Sequence, residues 1–300
     1  MYKRRLIVCL SIGLLAITAI SWLRPPARRG VIAADEFWSA KTHGGNGAYD
    51  VVVVGDSRTL MGVAPIAMRE HLPGAAILNF GYLGAGLTPE LVLAAARKID
   101  ASSRIPTLVL GVTPLSLTSG SLTNKHFKEQ AGRPAIARAG CVDLEPVRRA
   151  FAPFHPFAEA TSRQPAGLPY REGGWLASEG TADPRIALQA YARLFARSTF
   201  DEANFERLIA TLAETSAQGV RLLAFRHPST GTMEDLEARR SGFREAYVRE
   251  RLADADITWL SFASSDGRTP AFASSDGSHL SQEGALAFSA DLAARIAASQ

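Results

Sequence analysis

Tyr49-Asp-Val-Val-Val-Val-Gly-Asp-Ser-Arg58 is the stretch of the chain that decides the fold. Its four consecutive valines, residues 51–54, are typical of a strand that is buried on both faces at the centre of a parallel sheet. The run stops at a glycine, and a polar turn containing Asp56 and Ser57 follows. Open α/β sheets place their chemistry at the carboxyl ends of such strands. Ser57 is therefore a candidate nucleophile; the alternative is that Asp56 or Ser57 only caps the next helix.

Strand and helix patterns alternate along the rest of the chain. Strands are predicted at 75–80, 107–111, 220–225 and 257–260, and helices at 64–72, 88–99, 184–196, 201–218, 233–253 and 282–298. This alternation predicts an α/β fold with a parallel sheet and right-handed crossovers. Residues 115–184 are rich in Pro, Gly, Ser and Thr but carry several aromatic residues, so we expect an insertion beside the strand ends, with a lid as one interpretation.

The N-terminus has the pattern of a membrane anchor. Residues 6–23 form an uncharged apolar run, just long enough to cross a bilayer as a helix, with basic residues on both sides. A cleaved signal peptide is the alternative, but no suitable cleavage site follows the run. We expect an anchor at 1–29, a linker at 30–48 and one domain at 49–300. The linker is expected to contain a short helix near 35–40. The charge flanks favour a single-pass protein of the inner (cytoplasmic) membrane with its domain in the periplasm or otherwise outside the cytoplasm.

Charge and cysteine content exclude several classes of function. The net charge of +4 comes from six basic residues before residue 30, and the remaining chain carries 27 basic against 29 acidic residues. We therefore expect no nucleic-acid binding. Cys9 and Cys141 are the two cysteines and are not expected to pair. The six histidines show no metal-ligand spacing, so we expect neither a metal nor a cofactor.

Asp276 and His279 supply the partners that a nucleophilic serine needs. A serine must lose its proton to a base, and that base must be held by an orienting group. The two residues stand three apart, just before the last predicted helix. Alone they could form a turn and a helix cap, but together with Ser57 they predict a Ser-His-Asp triad.

Three segments in order resemble the motifs of the SGNH (GDSL-type) hydrolases: Gly55-Asp-Ser57, Asn79-Phe-Gly-Tyr-Leu-Gly84 and Asp276-Gly-Ser-His279. The resemblance spans about residues 49–298. It implies a flavodoxin-like three-layer sandwich, and an oxyanion hole that includes the backbone N–H groups of Ser57 and Gly84.

The chain departs from this family at one position. The third family motif carries an asparagine whose side chain is an oxyanion donor, and this chain has Thr113 there. The loss of one such donor typically lowers the rate by about 10²–10³-fold. Three interpretations stay open: Thr113 substitutes, Ser116 or Asn124 takes its place, or the enzyme acts poorly on simple esters.

The anchor and the altered third motif resemble membrane-tethered members of the family that are linked to alginate acetylation and teichoic-acid D-alanylation. This resemblance implies an esterase or O-acyltransferase acting on acyl esters of a cell-envelope or extracellular glycan, with a membrane-bound acyltransferase as a partner. The alternatives are a non-catalytic glycan- or partner-binding protein of the same fold, and a cytoplasmic lipase-like enzyme. Candidate substrate-binding residues are Arg58, Asn79, Trp175 and Arg226, although Trp175 fits the core of a lid and Arg226 a salt bridge equally well.

Overall fold

A central sheet of five parallel strands organises the molecule. The computed structural model describes residues 32, 34–133, 168–262 and 272–299. The strand order is β2-β1-β3-β6-β7, which is the order of a doubly wound, flavodoxin-like sheet. A two-stranded antiparallel pair, β4-β5, forms a second, separate sheet. The strands are β1 Val51–Gly55, β2 Ile77–Gly81, β3 Thr107–Val112, β4 Tyr170–Arg171, β5 Trp175–Leu176, β6 Arg221–Arg226 and β7 Thr258–Trp259.

The helices of the described residues cover both faces of this sheet. They are α1 Ala34–His43, α2 Ser57–Gly62, α3 Pro65–Met68, α4 Pro89–Ala96, α5 Lys125–Ala131, α6 Pro184–Phe195, α7 Glu202–Ala217, α8 Gly231–Arg240, α9 Glu245–Asp254 and α10 Gln282–Ala298. Short 3₁₀ turns occupy Leu115–Leu117, Ser119–Ser121 and Glu172–Gly174. The sequence predicted an α/β fold with a parallel sheet, and this prediction is confirmed.

The valine run explains the three layers. Successive strand residues point to opposite faces of a sheet, and all four valines of β1 are fully buried. Val52 and Val54 belong to the hydrophobic cluster that includes residues of α1, α4, α7 and α9. Val51 and Val53 belong to the cluster that includes residues of α3 and α10. One stretch of sequence therefore fills the core on both sides of the sheet.

The prediction of one long helix over 233–253 is wrong. The segment forms α8 and α9, with a break at Ser241 and Gly242. Gly242 has φ 71°, a left-handed conformation that glycine adopts most readily. The Ser241 carbonyl accepts a hydrogen bond from the N–H of Phe200 at 2.9 Å. The chain therefore leaves the helix where a neighbouring segment takes over a backbone carbonyl.

Part of the expected linker belongs to the folded domain. The helix expected near 35–40 is present and extends over Ala34–His43. Phe37 and Trp38 of this helix are buried in the core, and Lys41 Nζ donates to the Gly174 carbonyl at 2.7 Å. Thr42 Oγ1 is hydrogen-bonded to Tyr82 Oη at 2.8 Å. The helix α1 is thus fixed to the turn that follows β2.

The expected insertion is described at its two ends. Residues 115–133 form the two 3₁₀ turns and α5, and residues 168–184 contain the β4-β5 pair. The aromatic residues Phe127, Tyr170 and Trp175 of these ends are buried. Cys141 lies outside the described residues, as do Cys9 and the predicted span 6–23. Within the described ranges, none of the helices is both long and apolar enough to cross a membrane.

Candidate active site

Ser57 stands at the point where β1 turns into α2. Asp56 caps the helix by accepting a hydrogen bond from the N–H of Arg58 at 2.9 Å, and Ser57 is the first helical residue. The helix lies close to the strand ends because they carry glycine: a Cβ on Gly55 would collide with Thr59 Oγ1, and a Cβ on Gly81 with the backbone of Leu60. These glycines bring the serine side chain to the carboxyl edge of the sheet.

His279 lies between Ser57 and Asp276. His279 Nε2 is 2.9 Å from Ser57 Oγ, and His279 Nδ1 is 2.8 Å from Asp276 Oδ2. A carboxylate only accepts hydrogen bonds, so Nδ1 carries the ring proton and Nε2 has a free lone pair for the serine hydroxyl. The three side chains predicted from sequence thus form one continuous chain of hydrogen bonds, with the histidine in the tautomer of a general base.

The electrostatics of Asp276 suit its orienting position. Burial would raise the pKa of this carboxyl, but the hydrogen bond and charge of His279, with the backbone N–H groups of His279 and Ser278, lower the pKa to about 2. Asp276 Oδ1 accepts from these two amides at 2.7 and 2.8 Å. The residue is therefore ionised at neutral pH and has both oxygens occupied.

Neighbouring residues hold the loop that carries Asp276 and His279. The Gly277 carbonyl accepts hydrogen bonds from the N–H and the hydroxyl of Thr230, at 3.1 and 2.9 Å. The His279 carbonyl accepts from the N–H of Ser275 at 2.9 Å, and Ser274 Oγ accepts from the N–H of Gly277 at 2.7 Å. Because these bonds fix the backbone on either side of the histidine, its ring is held in one place.

Two backbone amides are available for an oxyanion. Ser57 N–H lies in the first turn of α2, where helical amides lack an internal acceptor. Gly84 follows β2 by three residues, is exposed, and has φ 60°. Among the described residues, neither amide donates a hydrogen bond to another atom. Because β2 pairs in register with β1, both amides lie at the same edge of the sheet.

Thr113 makes a different contact from the one expected of an oxyanion donor. Its side chain is fully buried, and its hydroxyl donates to Asp56 Oδ2 at 2.5 Å. Thr113 Oγ1 also accepts a hydrogen bond from the N–H of Ser116 at 3.0 Å. A threonine has one hydroxyl proton, so here that proton serves Asp56. Burial raises the pKa of Asp56, and the Arg58 charge and the Thr113 hydrogen bond oppose this rise.

The two other candidate donors are also engaged. Ser116 Oγ donates to the Thr113 carbonyl at 2.8 Å. Asn124 Nδ2 donates to Thr88 Oγ1 at 2.7 Å, and its Oδ1 accepts from the N–H of Gly86 at 2.9 Å. Each of these side chains is about 1% exposed or less. Each of these candidate side chains is therefore already hydrogen-bonded inside the protein, which leaves the amides of Ser57 and Gly84 as the candidate oxyanion donors.

Two of the four candidate substrate-binding residues lie in the protein interior. Arg58 is 2% exposed and forms an ion pair with Glu237, 2.5 Å from Nη2 to Oε1. Asn79 is fully buried; its Nδ2 donates to the carbonyls of Thr59 and Val63, both at 2.7 Å. Both residues are therefore buried, and their predicted role as substrate contacts stays a prediction. Arg58 Nη1 is buried and has no hydrogen-bond partner among the described residues.

The other two candidates line separate cavities. Trp175 is 4% exposed and donates to the Met61 carbonyl at 2.8 Å, and its ring borders a cavity of about 330 Å³. Arg226 borders a cavity of about 310 Å³ together with Trp259. Its guanidinium bonds Glu237 at 3.1 Å and Glu245 at 2.5 Å. Arg226 is thus a salt-bridge residue, as one interpretation of the sequence held.

The sequence assigned no role to Glu237 or Ser278, and it favoured a structural or exposed His227 over one that lines the cleft. Glu237 lies in a helix whose pattern is strongly polar, yet it is fully buried. Ser278 directly precedes His279 and accepts a hydrogen bond from Arg58 Nε at 3.2 Å. His227 follows β6, is hydrogen-bonded to Thr59 at 2.9 Å, and burial lowers its pKa well below the usual value. Ser278 lies inside the segment Asp276-Gly-Ser-His279, but neither that segment nor the periodicity around Glu237 and His227 indicates which distant residues these three contact.

The arrangement can perform nucleophilic acyl chemistry. A serine hydroxyl, a histidine base, an orienting carboxylate and free amides beside the serine are the groups that acyl transfer requires. Among the described residues, no group of three or more His, Cys, Asp or Glu side chains is placed to hold a metal ion. The sequence matches no protein-family model and no curated protein.

Proposed function

We propose that this protein is a serine esterase or O-acyltransferase of the SGNH type. The observation that carries the proposal is the hydrogen-bonded chain Ser57–His279–Asp276, with separations of 2.9 and 2.8 Å. The order of the three sequence motifs and the flavodoxin-like strand order support the same assignment.

The mechanism follows from the positions of the groups. Ser57 Oγ attacks the carbonyl carbon of an acyl ester while His279 Nε2 takes the hydroxyl proton. The ionised Asp276 stabilises the imidazolium that forms. The amides of Ser57 and Gly84 donate to the oxyanion of the tetrahedral intermediate. His279 then gives the proton to the alkoxide as the bond between the carbonyl carbon and this oxygen breaks. The alcohol departs, and the acyl group stays on Ser57 Oγ.

A second half-reaction removes the acyl group. His279 takes a proton from water or from a sugar hydroxyl, and that oxygen attacks the acyl-serine carbonyl. Water gives hydrolysis and a sugar hydroxyl gives transfer. We propose an acyl ester of a cell-envelope or extracellular glycan as substrate and a membrane-bound acyltransferase as partner. We further propose that residues 6–23 anchor the domain on the periplasmic side of the inner membrane. These proposals rest on the resemblance in sequence.

A non-catalytic binding protein is the competing function. A binding protein has no requirement for Ser57 and His279 to be in contact, and a separation well beyond about 2.6–3.2 Å would favour it. The separation of 2.9 Å favours the enzyme. The ionised state of Asp276, which a general-base histidine requires, favours it as well.

A fluorophosphonate probe tests the proposal directly. The full-length chain in detergent is incubated with the probe, and the labelled residue is identified by mass spectrometry. We expect labelling of Ser57 in the folded protein, none after heat denaturation, and none in Ser57→Ala. Ser121→Ala is a matched control, because Ser121 is a buried serine whose hydroxyl donates to the Thr118 carbonyl. Labelling that persists in Ser57→Ala would overturn the proposal.

A further inference from the structure

A buried ion pair lies directly beside the proposed nucleophile. Arg58 and Glu237 have side chains 2% and 0% exposed, and Glu237 also accepts from Arg226 at 3.1 Å. The ring of Tyr191 lies 5.2 Å from the Arg58 guanidinium carbon. Removing two charges from water costs several kcal/mol per ion, so a buried pair is poor support for stability by itself. Such a pair calls for another physical reason to be at this place.

The reason lies in the third contact of Arg58. Its Nε donates to Ser278 Oγ at 3.2 Å, and Ser278 is 1% exposed. Ser278 stands one residue before His279, and Arg58 stands one residue after Ser57. Within the described part of the chain, this is the one polar side-chain contact between residues 57–62 and 274–280 besides that of His279 with Ser57. The two contacts are adjacent in both segments.

We propose that Arg58 is a positioning residue, held by Glu237, that fixes the distance between the Ser57 segment and the His279 loop through Ser278. The inference rests on the proposed function, because it concerns the geometry of the same triad. The other bonds of the loop run to Thr230, to the N–H of Ala182, which donates to the Ser275 carbonyl at 2.7 Å, and within the loop itself, and Tyr191 hydrogen-bonds the Ser278 side chain. They set the loop's conformation but do not tie it to α2.

The guanidinium suits this role better than an amine would. Arg58 uses Nη2 for Glu237 and Nε for Ser278, two different nitrogens of a rigid planar group. An arginine therefore fixes an angle as well as a distance, whereas a lysine presents a single nitrogen on a flexible stem. Glu237 therefore holds the guanidinium through Nη2, and the guanidinium in turn holds Ser278 through Nε.

The main test compares Ser278→Ala with Ser278→Thr. Ser278→Ala removes the hydroxyl that Arg58 and Tyr191 both contact and leaves the Arg58–Glu237 pair intact, whereas Arg58→Lys keeps the hydroxyl for Tyr191. A misplacement of about 1 Å can lower a rate by about 10²-fold, so we expect kcat on an aryl acetate to fall by about 10- to 100-fold with KM within about twofold. Ser278→Thr keeps the hydroxyl and should recover most of the rate. Arg58→Lys keeps the charge without the fork and should behave like Ser278→Ala.

Thr215→Val is the matched control for the loss of a buried hydroxyl. Thr215 is 1% exposed, and its hydroxyl donates to the Thr211 carbonyl near the end of α7, just before β6 begins. The start of β6 is at the opposite edge of the sheet from Ser57. The variant should therefore lower the thermal midpoint about as much as Ser278→Ala does while kcat stays at the wild-type level.

A readout that does not depend on catalysis separates this proposal from the proposed function. The proton on His279 Nδ1 is shared with Asp276, and its exchange with solvent can be followed by proton NMR. In Ser278→Ala it should exchange at least about tenfold faster than in the wild type, whether or not the protein is an esterase. Wild-type exchange and wild-type kcat in both Ser278→Ala and Arg58→Lys would overturn the positioning role. A wild-type protein that fluorophosphonates leave unlabelled would instead overturn the proposed function.

Discussion

Replacing Thr113 by valine distinguishes two roles for the position where this chain departs from the SGNH pattern. Valine keeps the shape of threonine and removes only the hydroxyl. That hydroxyl donates to the buried Asp56 at 2.5 Å and accepts from the N–H of Ser116 at 3.0 Å. Both bonds are lost in Thr113→Val, and the groups that remain are buried.

The expected cost follows from these two bonds. A hydrogen bond to a charged group contributes about 1.5–3 kcal/mol and one between neutral groups about 0.5–1.5 kcal/mol. We therefore expect the free energy of unfolding of Thr113→Val to fall by about 2–4 kcal/mol at pH 7. Thr113→Ser is the matched control; it keeps the hydroxyl and should lose only about 1 kcal/mol for the missing methyl group.

Urea denaturation and steady-state kinetics together give the answer. If Thr113 serves Asp56, the urea midpoint of Thr113→Val falls while kcat on an aryl acetate changes by less than about tenfold. If Thr113 were an oxyanion donor, kcat would fall by about 10²-fold and the midpoint would stay unchanged. The second pattern would refute the assignment of this hydroxyl to Asp56. A double-mutant cycle with Asp56→Asn isolates the pair, and its coupling should be at least about 1 kcal/mol.

Three further predictions follow from the same structure. Asp276→Asn should lower kcat by about 10⁴-fold. Folding lowers the pKa of Asp276 to about 2, so the ionised carboxylate stabilises the folded protein fully above about pH 4. The difference in unfolding free energy between Asp276→Asn and the wild type should therefore narrow as the pH falls from 5 to 2. Burial lowers the pKa of Lys41, so this amine binds a proton more readily in the unfolded chain than in the folded protein. The stability of the wild type relative to Lys41→Met should therefore rise with pH up to about 10.4. Urea midpoints of both proteins at pH 7 and 9.5 measure this rise. Gly84→Ala places its methyl group in open space but puts alanine in a left-handed backbone conformation, so the free energy of unfolding should fall by about 1–2 kcal/mol. In Gly174→Ala the methyl group would overlap the Asn79 carbonyl oxygen, and this variant should not be recovered as folded protein.

The parts of the fold that sequence could predict are those encoded locally. The valine run of β1 carries its own burial pattern, and α10 was predicted at the bounds that it has, 282–298, since its apolar residues repeat with helical period and Ser281 caps its start. The groups of the triad were predictable for a similar reason. Each of them follows a strand or precedes a helix, and parallel strands bring their carboxyl ends to one edge.

The parts that sequence could not predict depend on contacts between distant residues. Glu237 reads as one more charge on a polar helix, and its burial is explained by two partners, Arg226 and Arg58, the second of which is 179 residues away. Lys41 reads as part of a solvated linker, yet it is 2% exposed against the aromatic rings of Phe37, Trp38 and Tyr82. Hydrophobic periodicity reports on neighbours along the chain, and neither Glu237 nor Lys41 lies in a motif that would indicate a distant partner.

The stretch around Ser57 determines the geometry of the candidate site as well as the fold, because the side chains on both sides of Ser57, Asp56 and Arg58, are buried. Asp56 reaches the Thr113 hydroxyl at the end of β3, and Arg58 reaches Ser278 in the loop before α10. The Asp56 side chain connects the Ser57 segment to the neighbouring strand, and the Arg58 side chain connects it to the loop that carries His279. Buried ionisable groups are costly to keep, and this chain keeps one on each side of Ser57. A local shift of α2 would break both contacts at once, so the start of this short helix is determined by the sheet and by the loop together.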